Sequence, residues 1–269
     1  MSSGRMRWWT RRSVRGNDDR AMTGFSPLQI PDLAYWWRAD LGVTLEASNV
    51  SEWACQKTGI SLTAAGGDRP MFAASVAALA NRPALEFRTN SMQANNGAAA
   101  WKLLHDGTGF EAWMALVARS TAGAVNQIRW STITGYGATN IGAQSGFDDT
   151  NPNDESRFTV VRGATGRVVN ELSSLSAGTL RNTFRVLRQS YGTAFSPQFE
   201  NHMDGTLIGS GPEINPPSAS DPQGPLTLGS SQNGSTSGAF DCAEFCVFSA
   251  QLSAGYRTSM LAYMTGRYV

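Results

Sequence analysis

From Phe25 onward, apolar and polar residues alternate with a period of two through much of the chain, the spacing of strands with one buried face. Phe184, Val186 and Arg188 share one parity, and Arg185, Leu187 and Gln189 share the other. Patterns of this kind predict strands over residues 33–37, 51–53, 84–87, 110–119, 127–133, 157–162, 168–172, 183–189, 199–203, 206–208, 226–228 and 240–248. The run FEAWMALVAR at 110–119 is apolar in both parities and predicts a strand covered on both faces. Met203-Asp204-Gly205-Thr206 reads as a tight hairpin, because Asp-Gly supplies the positive φ angles of a type I′ turn. Helical spacing is confined to the end of the chain. There Ser253 can cap, Tyr256, Met260, Tyr263 and Met264 fall on one face, and Gly266 can terminate. One short helical turn is placed around 75–80, and long Pro/Gly/Ser-rich loops at 209–225 and 229–238.

Composition fits this picture. Of 269 residues, 41% are hydrophobic and 16% charged, which is too apolar for disorder. The 28 glycines sit in Gly/Ser/Asn/Thr clusters that punctuate short strands. All-β domains of this length often form one unit. Net charge is +1 and selects no partner class.

Residues 1–24 differ in character. Arg5, Arg7, Arg11, Arg12, Arg15 and Arg20 stand against Asp18 and Asp19, and Trp8 and Trp9 follow no strand or helix period. This segment reads as an arm, either a free tail or one that docks its two indoles on a partner protein. Arginine with tryptophan also suits phosphate contact and base stacking. The arm's shortness and its two acids argue against nucleic acid.

The three cysteines, Cys55, Cys242 and Cys246, give no disulfide framework. Cys242 and Cys246 are four apart, which predicts one face of one strand and two buried free thiols. His105 and His202 are not placed to complete a zinc site. No apolar run reaches the roughly 18 residues that span a bilayer. The arginines at the start, including the pair Arg11-Arg12, are followed by no apolar stretch, so the expectation is folding in a cytoplasm without membrane insertion.

Several motifs share a family likeness. FSPLQIPDLAYWW begins at Phe25, and Val50-Ser51-Glu52-Trp53, Lys57-Thr58-Gly59, Arg69-Pro70 and Asn81-Arg82-Pro83-Ala84-Leu85-Glu86-Phe87 follow. The chain closes on AEFCVFSAQLSAGYRTSMLAYMTGRY. In these stretches residues 25–269 resemble the concanavalin A-like, laminin-G-like jelly-roll domains of bacteriophage structural and bacterial surface proteins. The resemblance implies an all-β jelly-roll sandwich with a short C-terminal helix, forming one domain from residue 25. The chain departs from the family at Trp53-Ala54-Cys55-Gln56-Lys57-Thr58-Gly59 and at Phe87-Arg88-Thr89-Asn90, where carboxylates are usual. Both departures weaken the implication of a bound calcium ion.

Catalytic patterns are sparse. Laminarinase-type hydrolases on this fold resemble one another in an E-x-D-x-x-E strand, which carries the two carboxylates of retaining hydrolysis. No such run occurs here. Glu111, Glu171, Glu200 and Glu244 are isolated and read as solvated strand residues, and His202 as a surface histidine beside the hairpin. The polar run from Phe147 to Glu155 reads as an inter-strand loop. Its Asp148, Asp149 and Asp154 are candidate calcium ligands, since calcium takes hard oxygen donors from loops. Trp101, Trp130 and Tyr136 are the candidate glycan-stacking platform.

The resulting expectation is a non-enzymatic virion structural or surface-display protein, of capsid-decoration, head or tail-fibre type. Arg5, Arg7, Trp8, Trp9, Arg11, Arg12 and Arg15 would tether it to other virion proteins, as a homo-oligomer on the particle, and the sandwich would adhere to host glycans. Such a protein is made in the host cytoplasm. The alternatives are a carbohydrate-binding module of a bacterial surface protein, displayed on the cell, and, third, a polysaccharide hydrolase or lyase.

Overall fold

The structure, a computed structural model, describes residues 24–119, 127–134, 139–150, 153–163, 167–170, 175–176, 180–212, 216–234 and 237–269. Among them the first strands are β1 (Leu33–Arg38), β2 (Val43–Glu46), β3 (Asn49–Ala54), β4 (Ser61–Thr63), β5 (Met71–Val76) and β6 (Arg82–Phe87). The middle of the chain forms β7 (Met92–Ala94), β8 (Phe110–Ala118), β9 (Gln127–Ser131), β10 (Ile141–Thr150), β11 (Asn153–Arg162) and β12 (Arg167–Asn170). The remainder forms β13 (Leu175–Ser176), β14 (Phe184–Tyr191), β15 (Phe199–Met203), β16 (Thr206–Gly211), β17 (Thr227–Leu228), β18 (Phe240–Phe248) and the helix α1 (Ala254–Tyr268).

Every ladder is antiparallel, and the pairings resolve into two layers. In the first sheet, β18 carries β1 and β6 end to end along one edge and β8 along the other. Beyond β8 follow β14, β15 and β16, and β5 extends the far side beyond β6. The second sheet runs β2, β3, β4, β7, β17, β9, β10, β11, with β12 and β13 both on the outer edge of β11. A single pair, Asn49 with Met71, links the two. The all-β sandwich expected from the alternation is therefore present, with one C-terminal helix.

Two apolar cores follow from the layers. The larger lies between the sheets and contains Trp37, Trp53, Trp101, Phe110, Phe158 and Phe245. The smaller lies between the outer face of the first sheet and α1, and contains Trp36, Trp113, Phe248, Met260 and Met264. This second core explains why β8 and β18 are buried at every position. Their inner side chains meet the second sheet and their outer ones meet the helix.

Local rules hold at several points. Asp204 and Gly205 have φ of 50° and 82°, as the type I′ hairpin requires. Ser253 caps α1 by accepting a hydrogen bond from the Tyr256 amide at 3.3 Å. The turn expected near 75–80 is a 3₁₀ turn at Ala77–Leu79.

Other expectations are corrected. Gly266 does not end the helix, which continues to Tyr268. Two side chains pin that last turn: Arg267 to Asp40, and Tyr268 to Glu244 at 2.8 Å. Tyr256 is exposed rather than part of the packed face. Cys242 and Cys246 do not share a face. A bulge between Cys242 and Glu244 adds one residue to β18 and reverses its parity, so Cys242 enters the inter-sheet core and Cys246 the helix-side core. The polar run at 147–155 is no simple loop, since β10 and β11 pair as far as Thr150 and Asn153. The arm residues Arg5, Arg7, Trp8, Trp9, Arg11, Arg12 and Arg15 lie outside the described residues.

Candidate functional site

Two of the three residues of the candidate stacking platform, Trp101 and Trp130, are not at the surface. Trp101 is fully buried, packs tilted against Tyr35 at 4.5 Å between ring centres, and donates its indole N–H to Asn96 at 2.8 Å. It sits in the 3₁₀ segment Ala98–Leu104 and packs into the inter-sheet core with Leu104. Trp130 is packed between Phe110 and Phe158 in the inter-sheet core. Neither indole offers a face to a sugar. Tyr136 lies outside the described residues.

Of the candidate calcium ligands, the side chains of Asp148 and Asp149 lie outside the described residues. The Asp154 carboxylate is fully buried and accepts from the Leu180 amide at 2.9 Å. Among the described residues, no group of three or more metal-ligating side chains comes together.

A polar groove of about 550 Å³ lies instead on the outer face of the second sheet. Alternation builds its floor. On β4, β7 and β17, Leu62, Met92, Ala94 and Leu228 point into the core, which turns Thr63, Gln93 and Thr227 outward. Those three residues stand in register across the strands. The loop after β17 supplies Gln232 and Asn233, and the turn before β5 supplies Asp68.

The groove is ordered by its own amides. Gln93 Nε2 donates to Gln232 Oε1 at 3.0 Å, and Gln232 Nε2 donates to Thr227 Oγ1 at 2.7 Å. Ser231 Oγ donates to Asn233 Oδ1 at 2.9 Å. Asn90 Nδ2, in the connection between β6 and β7, donates to the Gly67 carbonyl at 3.0 Å, which ties the Asp68 turn to that connection. The lining holds amides, hydroxyls and one carboxylate, with no aromatic ring and no basic group. Such a surface can exchange hydrogen bonds with hydroxyl groups in both directions.

Three of the isolated glutamates, Glu111, Glu200 and Glu244, are buried rather than solvated. Glu244 is fully buried beneath α1, where it accepts from Trp36 Nε1 at 2.5 Å and from the Tyr268 hydroxyl at 2.8 Å. Burial pushes its carboxyl above the usual carboxylate range, outweighing the pull of Arg38, Tyr268 and Trp36. Glu111 is also fully buried. It accepts from Trp113 Nε1 at 2.8 Å and from Arg257 Nε and Nη2 at 2.9 and 2.7 Å. Glu200 joins the same cluster through Arg188 Nη2 at 2.9 Å and Arg257 Nη2 at 3.3 Å. His202 is no simple surface histidine either, since its Nε2 lies 3.7 Å from Glu200. Glu171 lies outside the described residues.

No family model matches the chain, and no curated protein matches it in sequence. Solved structures do match. The binding domain of botulinum neurotoxin serotype G aligns over 86% of the chain and 51% of its own length, with 10% identity and a TM-score of 0.57. A Trypanosoma rangeli sialidase in complex with sialic acid aligns over 87% and 33%, with 12% identity and a TM-score of 0.54. The binding domain of botulinum neurotoxin DC in complex with SialylT aligns over 87% and 52%, with 9% identity and a TM-score of 0.50. What they share with this chain is a fold. The chain spans about half the length of the toxin domains and a third of the sialidase.

Proposed function

We propose that the chain is a non-enzymatic carbohydrate-binding adhesion domain whose ligand lies in the groove over β4, β7 and β17. The observation that carries this reading is the registered row Thr63, Gln93 and Thr227 beneath Gln232 and Asn233. Amides already held in a network lose little freedom when a sugar binds, so less of the binding energy goes into ordering them. Asp68 adds an acceptor for a pair of hydroxyls. A structure of similar fold supplies a precedent: that of botulinum neurotoxin type C, whose cell entry is dependent upon interaction with two ganglioside molecules.

In the fuller form of the proposal, the domain is displayed on a virion and anchored to other virion proteins by the arm at residues 1–24. Display on a bacterial cell surface is the second setting, with the same groove. A hydrolase or lyase reading has less support. Glu111 and Glu200, one pair of neighbouring carboxylates, are bridged by Arg188 and Arg257, and Glu111 is sealed from any polymer. The test is a glycan array probed with the wild type and with the double variant Gln93→Ala/Asn233→Ala. The proposal expects discrete hits that the double variant loses. A separate deletion of residues 1–24 should leave array binding intact and abolish incorporation into particles.

A further inference from the structure

The groove over β4, β7 and β17 has a definite hydrogen-bonding sense, and two backbone carbonyls set it. Gln232 Nε2 lies 3.2 Å from the Ser131 carbonyl and also meets the Pro225 carbonyl. Carbonyls only accept, so the nitrogen of this amide must be the end that faces them. Gln232 Oε1 is thereby turned toward Gln93 and accepts from its Nε2 at 3.0 Å. The same Gln93 nitrogen also donates to Thr227 Oγ1 at 3.4 Å. Both amide hydrogens of Gln93 are thus committed within the protein. What this exposed side chain has left for a ligand is its carbonyl oxygen, Oε1.

Neighbouring groups have the same sense. Thr63 is exposed, and its Oγ1 donates to the Gln93 carbonyl at 3.3 Å, which leaves its lone pairs. Asp68 is exposed and adds a carboxylate. Its backbone is fixed beside β7, because its carbonyl accepts from the Ser91 amide at 3.0 Å. Glu52 stands opposite Thr63 on β3 and adds a second carboxylate to this face. The arginines next in sequence to Asp68 and Thr89 are engaged elsewhere: Arg69 with Glu46 at 2.6 Å, and Arg88 with Asp241 at 2.8 Å. The hydroxyls of Thr89 and Ser91 can turn either way.

The groove therefore offers mostly acceptors, together with negative charge. Hydroxyl and amine groups bring the hydrogens that such a surface takes. A carboxylate, sulfate or phosphate brings only acceptors, gives up water on entry, and meets Asp68 rather than a cation. Building on the carbohydrate reading above, we propose that the groove selects non-acidic saccharides through their hydroxyl and amine donors and turns away sialylated, sulfated and uronic-acid chains.

The test is a glycan array probed with the full chain, presenting the same backbones in plain, amine-bearing, sialylated and sulfated forms. Plain and amine-bearing chains should lead the hits. For the strongest, calorimetry should show the plain form binding at least about tenfold more tightly than its acidic form. Asp68→Lys should bring that ratio close to one. Among N-acetylglucosamine oligomers, removal of the acetyl groups should tighten binding several-fold at low salt, and high salt should erase the gain by screening Asp68. Hits led by sialylated or sulfated chains, and lost in Gln93→Ala/Asn233→Ala, overturn the selectivity while the carbohydrate reading stands. A ratio unchanged in Asp68→Lys also overturns it. An array without hits removes both.

Discussion

Replacing Arg257 with Met removes the guanidinium that joins α1 to the first sheet and keeps most of its aliphatic stem. In the wild type, Arg257 donates twice to Glu111, at 2.9 and 2.7 Å, and Glu111 is fully buried. Removing one partner of a buried ion pair typically costs about 3–5 kcal/mol, because the remaining charge stays buried. Two features reduce that figure. The Arg257 side chain is 23% exposed, so solvent already screens the pair. Glu111 also retains Trp113 Nε1 at 2.8 Å and the Leu252 amide at 3.3 Å. A loss of about 2 kcal/mol is the outcome, roughly 4–8 °C in melting temperature for a domain of this size. Urea unfolding should show a lower midpoint at an unchanged slope, the signature of lost stability without a change in the surface exposed. Glu111→Gln completes a double-mutant cycle, in which a coupling of about 1 kcal/mol or more is expected. Arg69→Met is the control. Its partner Glu46 is 55% exposed, and surface pairs of that kind contribute about 0–1 kcal/mol. If Arg257→Met costs no more than Arg69→Met, or the cycle shows no coupling, the Arg257–Glu111 pair does not help to hold the helix and the clasp argument is wrong.

Further outcomes concern the buried acid and the buried indole. Glu244 holds its proton to higher pH in the folded chain than in the unfolded one. Its contribution to stability is therefore fully present below the ordinary carboxylate value near 4.5 and is lost as pH rises through the raised folded value. Glu244→Gln removes that slope, so urea midpoints of variant and wild type should diverge in the variant's favour from pH 4 upward; parallel profiles would sink the idea. Trp101→Ala should cost about 3–5 kcal/mol, as expected when a large buried aromatic leaves a cavity. Calorimetric melting checks that loss, and glycan binding by the folded fraction should not change.

The sequence made the architecture readable where local and tertiary demands agree. β15 and β18 match their expected bounds, because alternation and the Asp-Gly turn act within a few residues. Strands β4 and β7, three residues each, carry one or two apolar side chains and give no periodic signal. β10 contains Gly142, Gly146, Asp148 and Asp149, and its pairing with β11 and β9 imposes the strand. Glu111 and Glu244 pass for solvated residues because nothing near them in sequence announces that α1 folds back over their face. Trp101 shows the converse error: an indole after three alanines reads as exposed, yet it is buried in the inter-sheet core. The groove was illegible for a simpler reason. Gln93 and Gln232 are 139 residues apart and belong to types common in any loop. Only the register of β7 against β17 brings them together.

The central claim is that the outer face of the second sheet recognises carbohydrate. Its most direct test is calorimetric titration of the strongest array glycan into the wild type and into Gln93→Ala/Asn233→Ala. The account predicts saturable one-site binding by the wild type and a loss of at least about tenfold in the double variant, with no change in melting temperature beyond a few degrees. Equal affinity in the two proteins would contradict it, as would the absence of binding to any glycan tested.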